Sequence, residues 1–143
     1  MPRLRFRIAA RRRPSAQTGE LTIVSREALL VMDVQNGVVG RFGDSPALLA
    51  ILGSAVKAAR ASGVPVIYVR VAFRDGIPEI SPNNRTFSAL AASGSGPGLG
   101  ESDPSTQIHP AVAPEHGDIV VTKRRVSAFC GTDLEVILRS LGV

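Results

Sequence analysis

Three short apolar runs without helical periodicity divide the chain, and a segment with helical spacing lies between the first two. The runs cover residues 29–34, 64–71 and 119–122, and turn-forming residues flank them, which favours buried β-strands. In the intervening segment apolar residues recur every three or four positions, as they do on one face of a helix. A strand–helix–strand order predicts a parallel pair joined by a crossover, and therefore an α/β fold.

The ends of the predicted helices carry recognisable signals. Residues 35–37 break the first strand, and residues 44–46 combine capping side chains with a proline suited to the first helical position. Gly63 ends this helix, because glycine readily adopts the left-handed conformation found there. Thr132 and Glu135 have the spacing of a capping box, which predicts a final helix.

Regular patterning is weak between residues 72 and 117, where only a short helix at 86–92 is predicted. The glycine-rich run 93–100 matches neither a P-loop nor a dinucleotide-binding turn, so we interpret it as a surface loop. Long connections of this kind often cover active sites, although many are merely flexible.

Positive charge is concentrated at the start of the chain. The formal net charge is +5, but residues 1–26 hold seven arginines and one acid, whereas residues 27–143 hold ten basic and eleven acidic residues. The body is close to neutral, so the high isoelectric point does not predict a nucleic-acid-binding domain. We interpret residues 1–26 as a disordered Arg-rich arm, with a targeting peptide or a polyanion-binding arm as alternatives.

The remaining composition excludes several classes of protein. The single cysteine, Cys130, excludes an intrachain disulfide and a cysteine-based zinc site. No apolar run reaches the roughly 18 residues that a membrane span requires. The arm also lacks the apolar core of a secretory signal, so we expect a cytoplasmic protein. No motif indicates a cofactor, so none is expected.

Two chemically active residues stand where predicted strands end. Asp33 follows the first apolar run and Lys123 follows the third. Because the carboxyl ends of parallel strands form the edge at which ligands bind, the two predict an acid–base pair. Taken singly, each has a plainer interpretation: Asp33 as a turn residue, and Lys123 as the start of a solvated basic run.

The sequence around the two residues supports a more specific interpretation. The D-x-Q-N turn that starts at Asp33 and the K-R-x-x-S-A-F-x-G-T-D-L run that starts at Lys123 resemble the isochorismatase-like family of cysteine hydrolases. The resemblance covers about residues 27–143, which it assigns to the N-terminal part of such a domain. It implies a three-layer α/β/α, Rossmann-like fold with a parallel sheet of about six strands.

The resemblance also implies a function, namely hydrolysis of a C–N bond in a small amide or a related molecule by an Asp–Lys–Cys triad. Asp33 matches the aspartate that takes the thiol proton, and Lys123 matches the lysine that supports the thiolate. The candidate substrate-binding residues are Gln35, Phe42, Arg70 and Phe73. The last three are equally well explained as packing residues.

The chain departs from the family pattern in one serious respect. The family's nucleophilic cysteine lies on the loop after the next strand, past Val143, so we expect a fold incomplete at its C terminus and an impaired hydrolase. Cys130 occupies a variable position and is interpreted as an ordinary small residue. The paired histidines of the metal-binding branch have no counterpart after the second strand, which predicts no metal, and His109 is interpreted as a structural loop residue.

Two alternatives to an enzyme stay open. One is a non-catalytic α/β module that binds a small molecule or a partner through the same cleft. The other is a fold completed by a second polypeptide. In either case an incomplete sheet leaves its first strand at an exposed edge, and long apolar edges pair with other chains. A homo-oligomer formed through this edge, or a marginally stable product, is therefore a further expectation.

Overall fold

The structure is a computed structural model. It describes residues 27–43, 45–81, 83–92 and 98–143. The predicted Arg-rich arm and the larger part of the glycine-rich run lie outside these residues. None of the helices in the described part of the chain is long and apolar enough to cross a membrane.

The chain alternates strands and helices in the order that the apolar pattern predicts. The strands are β1 (Leu29–Met32), β2 (Val66–Val71) and β3 (Ile119–Lys123), and the α-helices are α1 (Asn36–Arg41), α2 (Pro46–Ala61), α3 (Arg85–Ala92) and α4 (Leu134–Ser140). Two 3₁₀ turns, Pro104–Thr106 and Pro110–Val112, precede β3. The three strands form one parallel sheet in the order β1-β2-β3, which confirms the α/β class.

Strand β2 lies at the centre of the sheet and is covered on both faces. On one face Tyr68 packs with Val31 of β1 and Val56 of α2. On the other, Ile67 packs with Val121 of β3 and Leu134 of α4. Successive side chains of a strand point to opposite faces, so the continuous apolar run of β2 is what a strand between two helical layers requires.

Helix α2 begins and ends where the sequence predicts. Pro46 is its first residue, and Gly63, just after its last turn, has a φ of +69°. Leu49 and Val56 are its buried residues, and Val56 packs in the core beside the sheet. The predicted helix is therefore confirmed, although the side chain of Ser45 makes no capping hydrogen bond.

Two local features of the structure were not predicted. Residues 35–37 lie beyond the end of β1, as predicted, but α1 also begins there, at Asn36, whose side-chain amide donates to the carbonyl of Pro104 (2.8 Å). The capping box predicted at the last helix is wrong. Asp133 is the residue that caps α4, and the carboxylate of Glu135 pairs instead with Arg139 one turn later (2.6 Å). The contact of Asn36 joins distant segments of the chain, whereas the Glu135–Arg139 pair lies within a single helix.

Candidate active site

An ion pair joins the ends of the two outer strands. Lys123, the last residue of β3, donates from Nζ to Oδ2 of Asp33, which directly follows β1, over 2.8 Å. The side chain of Lys123 is 6% exposed and that of Asp33 is 38% exposed. The two residues are 90 positions apart in the chain and meet across the end of β2.

The backbone turns sharply at Asp33, and its side chain points toward Lys123. Asp33 has a φ of +59°, in the left-handed region that aspartate tolerates better than most residues. Its N–H still donates to the carbonyl of Val69 in β2 (2.9 Å), while its carbonyl accepts from the N–H of Gln35 (2.9 Å). Residues held in this region cluster at functional sites, where the surrounding structure stabilises them.

The hydrogen bonds of the pair leave one acceptor unused. Nζ of Lys123 donates a second hydrogen bond to the carbonyl of Val126 (3.1 Å). Oδ1 of Asp33 is shielded from solvent and has no hydrogen-bond partner among the described residues. A buried carboxylate oxygen without a donor is energetically costly, and it is an acceptor available to a proton brought by another group.

Gln35 holds the turn that carries Asp33. It is 1% exposed, and its Nε2 donates to the carbonyls of Val71 (2.8 Å) and Thr106 (2.7 Å). Its Oε1 accepts from the N–H of Val71 (2.8 Å). Sequence reasoning names Gln35 as a substrate-binding candidate. In the structure its amide is engaged by backbone groups of two other segments, which gives it a positioning function.

A small cavity of about 170 Å³ opens beside Asp33. Apart from Asp33 and Ser45, the residues that line it are apolar: Val34, Val38, Val39, Phe42, Leu48, Leu49 and Leu52. Phe42, a predicted pocket residue, is 79% exposed and stands at this cavity. The arrangement places Asp33 at the wall of a largely apolar space.

The other two pocket candidates lie elsewhere. Phe73 is fully buried and packs edge-to-face against Phe87, with ring centroids 5.1 Å apart. Arg70 donates to Oγ1 of Thr122 (3.2 Å) and to Oε1 of Gln107 (3.0 Å), beside a separate cavity. Neither lines the cavity at Asp33, so their proposed contact with substrate stays a prediction.

The candidate ligating and nucleophilic residues are dispersed. His109 accepts at Nδ1 from the N–H of Ala111 (3.1 Å), which is the structural hydrogen bond expected of it. Cys130 is a free, exposed thiol on the loop between β3 and α4. Within the described ranges, no group of three or more His, Cys, Asp or Glu side chains is arranged to hold a metal ion.

Sequence reasoning overlooked a charged cluster next to the ion pair. Arg124, treated as part of a solvated basic run, forms ion pairs with Glu79 (2.9 Å) and Glu101. Glu79 also pairs with Arg74 (2.6 Å). Together these residues tie the irregular segment after β2 to the end of β3. Only the alternation of charge signs among distant residues could have indicated the cluster, and that signal is weak.

This cluster predicts a pH dependence of stability. Burial tends to raise the pKa of Glu79, but hydrogen bonds from its own backbone and from the backbone and guanidinium of Arg74 outweigh it and lower the pKa below the ordinary value. A carboxyl whose pKa is lowered by folding stabilises the fold above its unfolded pKa of about 4.3, and this stability is lost as the pH falls through the folded pKa.

Glu79→Gln is therefore expected to flatten the fall in melting temperature below about pH 5. Thermal melts followed by circular dichroism across the acid range measure the effect. Asp103, whose pKa is lowered by hydrogen bonds from Ser105, contributes with the same sign, so some acid sensitivity should persist. The control is Glu135→Gln, which removes an exposed pair on α4 and should change little. If the melting temperature of Glu79→Gln falls below pH 5 as steeply as that of the wild-type chain, the prediction is contradicted.

Comparisons with known proteins decide the family of this chain. The sequence model of the isochorismatase domain matches residues 27–143. The chain belongs to the isochorismatase family. Among curated relatives, the ureidoacrylate amidohydrolase RutB of Enterobacter sp. strain 638 is 31% identical over 135 residues, covering 81% of this chain and 59% of that protein.

Solved structures of similar proteins agree with the observed fold. A cysteine hydrolase from Pseudomonas syringae pv. phaseolicola superposes with a TM-score of 0.67 at 31% identity, covering 82% of this chain and 55% of that one. An N-carbamoylsarcosine amidase from Thermoplasma acidophilum superposes with a TM-score of 0.60 at 27% identity, covering 82% and 62%. The chain thus spans roughly three fifths of the length of these relatives.

Proposed function

We propose that this chain carries the acid–base groups of a hydrolase that cleaves the C–N bond of a small amide. Asp33 is the proton acceptor, and Lys123 stabilises the charge that develops at the reacting atoms. The observation that carries the proposal is the Lys123–Asp33 pair, in which Oδ2 is held by the ammonium and Oδ1 has no partner. A positioned carboxylate oxygen of this kind is what proton transfer from a nucleophile requires.

The names of the relatives suggest the class of substrate. Ureidoacrylate and N-carbamoylsarcosine both contain a carbonyl carbon bonded to nitrogen. The nucleophile attacks such a carbon and bonds to it while its proton passes to Asp33. The same proton then passes to the leaving nitrogen, so that the C–N bond breaks and ammonia or an amine is released. Water afterwards hydrolyses the bond between the carbonyl carbon and the nucleophile. The small, largely apolar cavity beside Asp33 suits a compact ligand with a carbon-rich portion.

Asp33 and Lys123 do not include the nucleophile that the reaction requires. The only cysteine of the 143 residues is Cys130, which is exposed. No hydrogen bond in the described part of the chain joins its thiol to Asp33 or Lys123. We therefore propose that this polypeptide by itself is an impaired hydrolase, and that a thiol from outside the sequence completes the site.

A chimera provides the test of this assignment. Residues 27–143 replace the matching segment of the Enterobacter amidohydrolase, and ammonia release is measured on a panel of small amides and ureido compounds. We expect the chimera to be active, the 143-residue chain alone to be inactive, and Asp33→Asn or Lys123→Met to lower kcat/KM of the chimera at least about a hundredfold.

The matched control is Cys130→Ala, which should leave the chimera's kcat/KM unchanged. Circular dichroism establishes that each variant is folded. A folded chimera that keeps its activity after Asp33→Asn or Lys123→Met contradicts the assignment. Turnover by the unmodified chain that disappears in Cys130→Ala would instead make Cys130 the nucleophile.

A second candidate function, a small-molecule-binding module, is favoured by one observation. The cavity at Asp33 is present without a thiol beside it among the described residues, and a cavity with a charged wall is sufficient for binding. Isothermal titration of the chain with the same amides, in parallel with the ammonia assay, separates the two candidates. Binding that needs Asp33, together with an inactive chimera, favours the module.

A further inference from the structure

Arg70 differs from the other partly buried arginines in the described part of the chain. Arg60 and Arg124 each form ion pairs with two carboxylates. Arg70, on β2, instead donates from Nε to Oγ1 of Thr122 (3.2 Å) and from Nη1 to Oε1 of Gln107 (3.0 Å), and no carboxylate of the described residues pairs with it. A partly buried charge without a counter-charge is costly, because it loses hydration and gains no opposite charge in return.

The contacts of Arg70 hold its guanidinium in place without neutralising it. Both acceptors are uncharged oxygens, and they engage only part of the N–H donors of the group. Gln107 is itself fixed, because its Nε2 donates to the carbonyls of Glu101 (2.9 Å) and Asp103 (3.0 Å), which leaves its Oε1 turned toward Arg70. Nη2 of Arg70 donates to no group of the described residues, so the guanidinium keeps donors for a further acceptor.

A cavity of about 280 Å³ opens beside this guanidinium. Arg70 and Gln107 line it together with three apolar residues, Ile108, Pro114 and Val120. All of them belong to β2, β3 or the connection between these strands, so the cavity is formed within one part of the fold. It shares no lining residue with the cavity at Asp33, and no carboxylate side chain of the described residues lines it. The cavity is therefore a separate space with a positive charge at its wall.

We propose that this cavity is a second ligand site, which binds a small organic carboxylate with a short apolar group. The two oxygens of a carboxylate match the planar, forked donors of a guanidinium, and the negative charge supplies the counter-ion that Arg70 lacks. The apolar group then contacts Ile108, Pro114 and Val120. Val120 is 44% exposed, so it has apolar surface that a ligand can cover.

The balance of polar and apolar groups in the cavity favours an organic carboxylate over an inorganic anion. Arg70 supplies the positive charge, and the wall away from Arg70 and Gln107 is apolar. A phosphate carries acceptor oxygens on every side, and some of them would face this apolar wall without donors. A carboxylate concentrates its charge at one end, so the rest of the molecule can be apolar. The site therefore selects an anion with an apolar portion, and not negative charge alone.

Titration of the full 143-residue chain with isobutyrate, followed by the amide resonances in proton–nitrogen correlation spectra, tests the site. We expect saturable shifts at the amides of Ile108 and Val120, which line the cavity. Isobutanol has the same carbon skeleton without the charge, and inorganic phosphate has the charge without the skeleton. Each should bind at least about tenfold more weakly than isobutyrate. The proposal is overturned if isobutyrate causes no saturable shift at these amides, or if isobutanol or phosphate binds equally well.

Substituted chains separate a defined site from a general attraction of anions. Arg70→Gln should weaken isobutyrate binding at least about tenfold. The matched control is Arg41→Gln, which removes the same charge from an exposed arginine that does not line the cavity and should leave binding unchanged. Val120→Glu places a carboxylate of the chain itself in the cavity and should abolish the shifts at Ile108, which keeps the test decisive if Arg70→Gln does not fold. Binding that survives Arg70→Gln or Val120→Glu, or that weakens equally in Arg41→Gln, overturns the proposal.

Discussion

Gln35→Leu is expected to lower the free energy of unfolding by about 4 kcal/mol, the largest effect predicted for a single substitution in this chain. Leucine has a similar volume but cannot bond the N–H and C=O of Val71 or the carbonyl of Thr106, which Gln35 joins at 2.7–2.8 Å. Gln35 is 1% exposed, so water cannot easily replace these bonds. Three backbone groups, one of the buried Thr106 and two of the partly buried Val71, would then remain without partners.

Urea denaturation followed by circular dichroism, at one fixed protein concentration, measures this loss. Gln107→Leu is the matched control, because Gln107 also bonds the carbonyls of Glu101 (2.9 Å) and Asp103 (3.0 Å) and accepts from Arg70 (3.0 Å), but it is only partly buried. We expect a loss of about 1–2 kcal/mol for the control. Equal losses in the two variants would mean that the number of bonds, and not their burial, sets the cost.

Asp33→Asn is expected to destabilise the fold by about 2 kcal/mol and Lys123→Met by a similar amount, because each leaves one charge of a largely buried pair without its partner. Asparagine is chosen because it tolerates the left-handed backbone at this position, so the variant changes charge without adding strain. The estimate lies at the low end for buried pairs, since the side chain of Asp33 is 38% exposed and can be rehydrated.

The double variant Asp33→Asn/Lys123→Met makes this prediction specific. It removes both charges, and it should recover most of the stability that either single variant loses. The coupling free energy is obtained from urea denaturation of the four proteins at one concentration. Strictly additive losses would contradict the view that the two residues act as a pair, and they would weaken the functional assignment as well.

Local patterns in the sequence predicted the elements of the fold well. The apolar runs that became β1, β2 and β3 and the helical spacing of α2 depend on which side chains are buried, and burial has a short period along the chain. The meeting of Asp33 and Lys123 was also predictable, because parallel strands bring their carboxyl ends to one edge. The apolar runs assigned the strands, and the parallel topology then brought the residues at their ends together.

Contacts between distant segments could not be predicted from local sequence patterns. Helix α1 begins within residues predicted only to end the first strand, and its first residue, Asn36, bonds to a turn 68 positions later. The bonds of Gln35 likewise cross 36 and 71 positions. A side-chain amide has similar local preferences whether it faces a ligand or a backbone carbonyl, so the sequence does not distinguish a binding residue from a positioning one.

The amino-acid pattern by itself therefore determined the α/β class, the three strands and the carboxylate and ammonium at their ends, because periodic burial is encoded locally. Tertiary structure alone decided which charges Arg124 pairs with, that Gln35 supports the turn at Asp33, and that Arg70 lines a cavity without a carboxylate partner among the described residues. These features depend on how elements distant in sequence pack together, and the same residue types at the same spacings are compatible with several such packings.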